Sequence, residues 1–405
     1  MEKIGNYITG YIKGKTPKIL YDYMQEGTLP YLSPDYLRGK GLPELYAEHS
    51  GNSILVDDGE VIILWDGSNA GEVLISKNGI LASTMTLLEF NEEKIDKKYF
   101  GYAFQNLEYI LKAKTAGSGI PHADKGIIKR LEFYKPDKTE QAAIANILSK
   151  VDEAIASVQN SIAAAERLKK SLMQNLLTGK MKPDGTFRTP EEFYIDDKFG
   201  KVPVGWEVKR VKDFGEVITG KTPPTDEPEV FSDQERGYMF ITPGDLDFAK
   251  YIEKTERYVS DKGIKYSYVL PKNSVCEVCI GSTIGKIGIT TEVCCTNQQL
   301  TSVIVNEEND EEYFYYAMST RREHFKSVAG INATPQINKS GYSKYRILCP
   351  KDKKEQIAIA QEIRSVDSDI VKQEQKIRVL ERLKKSMMQN LLTGRVRLNE
   401  TIYNE

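Results

Sequence analysis

Glu166-Arg167-Leu168-Lys169-Lys170-Ser171-Leu172-Met173-Gln174-Asn175-Leu176-Leu177-Thr178-Gly179 occurs twice in this chain, returning as Glu381 to Gly394 with one change, Leu172 against Met387. Extending the comparison to Glu140–Lys182 and Glu355–Arg397 gives 22 identities in 43 positions without a gap. Two copies so far apart are too few for a solenoid, which needs stacked neighbouring repeats. They imply two similar halves, each closed by the same element.

That element reads as a long amphipathic helix. Ile144, Leu148, Val151, Ile155, Val158, Ile162 and Ala165 follow the alternating four-three spacing of a coiled-coil seam. Ile359, Ile363, Val366, Ile370, Gln373, Ile377 and Leu380 repeat it with one polar break at Gln373. Pro136 and Pro350 precede the two runs, and Gly179 and Gly394 stand where a C-cap glycine belongs. About forty residues at 1.5 Å each make a rod of roughly 60 Å. A single such helix would leave its seam in water, so the two are expected to pack antiparallel as a coiled coil.

The regions before each helix carry strand signals: short Val-, Ile- and Thr-rich runs at 61–65, 72–75, 275–280 and 286–289. Helices are expected near 97–114 and 311–327. These regions also match each other. Gly14-Lys15-Thr16-Pro17 answers Gly220-Lys221-Thr222-Pro223, Gly67-Ser68-Asn69-Ala70-Gly71 answers Gly281-Ser282-Thr283-Ile284-Gly285, and Pro121 answers Pro335. Residues between the matches differ strongly, as when one scaffold carries two recognition surfaces. The expected fold is α+β and pseudo-twofold, with two strand-rich domains separated by the paired helices. Domain boundaries fall at 1–135, 136–182 (helix), 183–201 (a polar linker), 202–349 and 350–405 (helix and tail).

Composition narrows the function. With 40% hydrophobic and 28% charged residues and no apolar run of membrane-spanning length, the chain reads as soluble and cytoplasmic. A net charge of -2 places any nucleic-acid contact on local patches or on partner subunits. Cys276-x-x-Cys279 and Cys294-Cys295 invite a zinc reading. The second pair lacks ligand spacing, and the matching positions of the first half are Ile62, Trp65, Ile80 and Leu81, so these cysteines are expected on core strands.

Gly215 to Thr222 satisfies the phosphate-loop pattern letter for letter. Pro223-Pro224 follows where a helix should begin, and the first half has Thr9 where the first glycine should stand. A strand-turn element with an exposed lysine is the expected reading, with a nucleotide hydrolase using Gly215–Thr222 as an open alternative. Short polar groups on the matched turns are candidates for touching DNA: Lys15, Thr16, Ser68, Asn69, Ser118, His122 and Lys125 in the first half. In the second they are Lys221, Thr222, Ser282, Thr283, Lys286, Asn297, Gln298, Gln299, Asn332, Thr334, Gln336 and Asn338. Amides read adenine edges bidentately, and hydroxyl, Arg and Lys donors serve other edges. No methyl-transfer or hydrolytic motif is present. The polar residues Arg167, Lys170, Gln174 and Asn175, repeated as Arg382, Lys385, Gln389 and Asn390, imply that both copies meet the same kind of partner.

Taken together, Glu140-Gln141-x-x-Ile144-Ala145, the Arg167–Gly179 block, their second copies and the Pro203-x-Gly205-Trp206 lead-in resemble the specificity subunit of Type I restriction-modification systems. The resemblance covers essentially the whole chain. It implies a non-catalytic subunit without a cofactor of its own, since S-adenosylmethionine, ATP and magnesium belong to its partners. It further implies two target recognition domains on a split double-stranded DNA site, a coiled-coil spacer, two docked methyltransferase subunits and, where present, restriction subunits. The first domain lacks the Pro-x-Gly-Trp lead-in. A coiled-coil scaffold with two protein-binding domains is the other reading left open.

Overall fold

A computed structural model describes residues 1–39, 41–114, 121–247, 249–329 and 335–398. They form two compact units: Met1–Asn160 with Gln373–Glu405, and Ser161–Lys372. The long helices run Lys138–Leu176 and Lys353–Leu391, 39 residues each. Each begins in one unit and ends in the other.

In the first unit, strands Ile8–Lys13, Met85–Phe90, Val61–Leu64 and Val73–Ile75 make an antiparallel sheet in that order. A second sheet holds Tyr46–Glu48, Thr28–Leu32, Gly79–Leu81 and Leu55–Val56, its central pair parallel. The second unit repeats the plan. Gly215–Thr219, Leu300–Val305, Val275–Val278 and Ile287–Thr290 gain one edge strand, Tyr251–Ile252. Its second sheet orders Phe231–Ser232, Arg257–Val259, Tyr238–Ile241 and Cys294–Thr296. All five cysteines are buried and free; Cys276, Cys294, Cys295 and Cys349 lie on strands.

A helix of this length is held by its packed face more than by propensity. In the first unit Ile144, Ala145 and Leu148, near the start of the first long helix, share a core with Leu391 and Leu392 at the end of the second. In the second unit Leu176 and Leu177 share one with Ile359, Ala360 and Ile363. The long helices are thus antiparallel. Short helices Lys97–Asn106 and Glu311–Ser319, capped by Asp96 and Asp310, supply Tyr99, Phe100 and Phe104 to one core and Tyr313, Phe314 and Tyr316 to the other.

The repeated Glu-Gln pair explains how each long helix is tied down. Gln141 and Gln356 are buried. Each accepts from the capping residue of the short helix (Asp96 N at 2.8 Å, Asp310 N at 2.9 Å) and donates to a carbonyl ahead of its own helix (Pro136 at 2.7 Å, Pro350 at 2.9 Å). Both amides are therefore paired out of water, which burial demands. Glu355 accepts from the indole of buried Trp206 at 3.0 Å and from Arg188. Glu140 takes Arg397 bidentately, at 2.9 and 2.7 Å. The Pro-x-Gly-Trp lead-in thus anchors the first turn of the second helix.

Two edges depart from expectation. The stretch 183–201, read as a linker, is ordered: Phe193–Asp196 pairs with Gly200–Pro203 as a hairpin, and Arg188 reaches the carbonyl of Gly179 at 2.8 Å. Its polar composition hid these contacts, which depend on an arginine meeting a distant helix start. At the other edge Glu2–Lys3 pairs with Glu132–Phe133, where the second unit pairs Trp206–Arg210 with Arg346–Pro350. The N-terminus supplies a shortened version of the missing lead-in.

Candidate nucleic-acid interface

The Gly-Lys-Thr-Pro turns hug the strand ends behind them. A Cβ on Gly14 would lie 2.1 Å from the Ala82 carbonyl oxygen, and one on Gly220 2.2 Å from that of Asn297. Only glycine allows this approach. The approach sends Thr16 Oγ1 to Ser83 Oγ at 2.9 Å in one unit and Thr222 Oγ1 to Gln298 Oε1 in the other. Ser83 and Gln298 therefore occupy corresponding places, and Lys15 and Lys221 stand exposed beside them. The phosphate-loop reading fails here. Gly215–Thr219 is a strand with no helix after it, and the amides of Gly220 and Lys221 are spent on the carbonyls of Leu300 and Thr296 at 3.0 and 2.9 Å. A phosphate cradle needs those N–H groups free.

The Gly-Ser-x-x-Gly turns meet a second segment. Gly67 N donates to Pro121 O and Ala123 N to Trp65 O; Gly281 N donates to Pro335 O and Ile337 N to Cys279 O. This brings His122 beside Asp66, and Gln336 beside Ile280. In the first unit Asp66 accepts from Lys13 at 2.9 Å and contacts His122 Nδ1 at 2.5 Å. Burial pushes its carboxyl up, but the bonds from Lys13 and His122 together outweigh burial and hold it below the usual range. Lys125 lies 4.8 Å from the Tyr11 ring centre and 5.9 Å from that of Trp65, within cation–π reach. Ser68 and Asn69 sit at the turn tip, with Asn69 exposed and Ser68 half-buried. In the second unit Gln298 is exposed, as is Thr283 at its turn tip, and Ser282, Gln299 and Gln336 are partly covered.

Three expected contacts serve other ends. Asn297 is buried; it donates to Gln299 Oε1 and accepts from Gln299 N, both at 3.0 Å, so it braces the turn. Asn338 caps the short helix Lys339–Lys344 through Gly341 N at 2.8 Å, as Asp124 caps Lys125–Arg130. Lys286 turns toward the Leu246 carbonyl at 3.4 Å. Ser118, Asn332 and Thr334 lie outside the described residues. Sequence reading missed Lys13, Asp66 and Ser83, which have no local motif; only the sheet register brings them together.

The sequence profile of the Type I restriction modification DNA specificity domain matches twice, over residues 4–167 and 203–382. The chain belongs to this family. It is a Type I specificity subunit carrying two such domains, a DNA-recognition protein and not an enzyme. The MjaVIII specificity subunit of Methanocaldococcus jannaschii is 31% identical over 98% of this chain and 92% of its own length. The HindI specificity subunit of Haemophilus influenzae is 30% identical over 37% of this chain and 33% of its own. Among solved structures, the S subunit of the Type I restriction-modification system of M. genitalium shares the fold with a TM-score of 0.63 at 15% identity, covering 96% of this chain and 95% of that one.

As a specificity subunit the chain binds DNA and assembles with other restriction-modification subunits. Among the described residues no helix is long and apolar enough to cross a membrane. The repeated helix ends present matched outer faces. Arg167 and Arg382 are exposed, and so are Leu168 and Leu383, at 51% and 43%, which add an apolar group to each face. Lys170 and Lys385, with Gln174 and Gln389, continue the same polar run one and two turns on. The carbonyls of Asn175 and Asn390 accept from Met181 N and Val396 N at 3.1 Å. Those two act first on the turn that ends the helix.

Proposed function

We propose that the chain reads a bipartite DNA target, one half-site with residues 1–135 and the other with residues 202–349, while the paired helices set the gap between them. The observation that carries this reading is the matched pair of turn clusters. One framework of Gly-Lys-Thr-Pro, Gly-Ser-x-x-Gly and a following Pro holds Ser83, His122, Asp66 and Lys13 in one unit and Gln298, Ile280 and Gln336 in the other. Unlike side chains on like backbones read unlike sequences. The amide-bearing cluster suits adenine edges, and the Lys- and His-bearing cluster suits acceptor-rich edges such as guanine.

The repeated Arg-Leu-x-Lys faces each dock one methyltransferase subunit, giving two per chain. Phosphate contacts come largely from those subunits, in keeping with the net charge of -2. Methylated-site mapping of cells expressing the chain with its methyltransferase tests the reading. The expected motif has two unlike halves separated by unread base pairs. Gln298→Ala with Gln336→Ala should relax only one half, weakening that half by about 10–100-fold, or 1–3 kcal/mol per lost base contact. A motif changed in both halves would contradict the assignment.

A further inference from the structure

Each unit contains the same three-residue bridge between a recognition domain and both long helices. In the first, Tyr102 donates to Asp152 Oδ2 at 2.6 Å, and Lys384 meets Asp152 Oδ1 at 2.6 Å. In the second, Tyr316 donates to Asp367 Oδ2 at 2.6 Å, and Lys169 meets Asp367 Oδ1 at 2.5 Å. Both tyrosines are buried on the short helices that follow the sheets. Each aspartate sits on one long helix and its lysine on the other. Further bonds reach the tyrosine oxygens from the side: Tyr102 also donates to Ser149 Oγ at 3.4 Å, and Lys250 donates to Tyr316 at 3.2 Å.

The spacing along the helices is the informative part. Lys169 lies seventeen residues past Asp152, and Lys384 seventeen past Asp367. In an antiparallel pair, equal intervals allow both bridges to close in a single register. The seam offers much weaker discrimination. Its Ile, Val and Ala side chains recur every heptad, and apolar contacts are nondirectional. A two-sided use of one carboxylate, with a buried tyrosine on one oxygen and a lysine on the other, fixes both lateral and axial position.

We infer that the Tyr102–Asp152–Lys384 and Tyr316–Asp367–Lys169 clamps lock the axial register of the long helices and thereby hold the DNA spacer to one length. This rests on the bipartite reading proposed above. The six residues are positioning residues and touch no DNA. A slide of one helical turn, about 5.4 Å, equals between one and two base pairs at about 3.4 Å each. Small axial play would therefore appear as a neighbouring spacer length.

The test maps methylated sites in cells carrying the complete methyltransferase assembly. Wild type should give one spacer. Lys169→Glu with Lys384→Glu should leave both half-site sequences intact and add a second spacer, one base pair longer or shorter, at no less than about a tenth of the methylation frequency. Lys169→Arg with Lys384→Arg should keep the single spacer. A sharp single spacer in the Glu pair, with methylation as in wild type, overturns the inference. Should the Glu pair give no methylation, Lys169→Met with Lys384→Met, which keeps the side-chain stems, decides by the same criterion. A contiguous wild-type motif would instead overturn the bipartite reading itself.

Discussion

The two units agree wherever a side chain ties a domain to the long helices and differ wherever a side chain faces outward or fills a sheet. Gln141 and Gln356, Tyr99 and Tyr313, Tyr102 and Tyr316, and Asp152 and Asp367 make matching bonds to matching partners. Ser83 against Gln298, and His122 against Gln336, do not match. Bonds that orient a reading head tolerate no change, because each buried polar group needs its partner. Exposed turn positions carry no such constraint, so they are free to differ in what they read.

The anchoring carboxylates offer the largest contrast. The Arg188 side chain is 7% exposed and shares Glu355 with the buried Trp206 indole, whereas that of Arg397, the partner of Glu140, is 61% exposed. Glu355→Ala strands a buried guanidinium and an indole N–H and should cost about 3–5 kcal/mol. Glu140→Ala leaves Arg397 able to reach water, and solvent screening should keep the loss to about 1 kcal/mol. Denaturant unfolding of the two variants checks the order. Equal losses would erase the distinction between the two anchors.

Next comes one sheet position. Ile63 pairs with Thr86 in the first unit, and Glu277 pairs with Thr301 in the second. Glu277 is fully buried. One oxygen takes the Tyr342 hydroxyl at 2.9 Å and the other has no partner among the described residues. Burial pushes its carboxyl from an ordinary 4.5 to about 8, against a smaller downward pull from Tyr342. The folded form therefore holds the proton more tightly than the unfolded form. This contribution to stability is complete below about pH 4.5 and lost as pH rises through about 8. Glu277→Gln should flatten the decline between those values and stabilise the protein above pH 8 by a few kcal/mol, because each tenfold change in proton affinity is worth about 1.36 kcal/mol. Melting temperatures across pH 5–9 would show it. Ile63→Val in the first unit should cost only about 1 kcal/mol at every pH.

The helix caps should differ least. Asp124→Ala and Asn338→Ala each remove a bond to the first turn of a short helix and should each cost about 1 kcal/mol. Neither should alter the methylated motif. A changed half-site on Asn338→Ala would restore Asn338 as a base-reading residue.

The duplicated plan, the two long helices and the matched turns are all legible in the string of residues. They follow from periodicity and from literal repetition, which need no knowledge of distant contacts. Alignment with Ile62, Ile80 and Leu81 of the first half also puts three of the cysteines on strands. Packing alone settles which polar residues remain available. Asn297 and Asn338 look like readers in a line of letters and prove to be a brace and a cap, while Lys13, Asp66 and Ser83 join the site through pairing across the sheet. Packing likewise turns a polar linker into a hairpin and sets Glu355 beneath Trp206 and Arg188. A hydrogen bond depends on the position of both partners, and that position is fixed only when the strands and helices between them have packed.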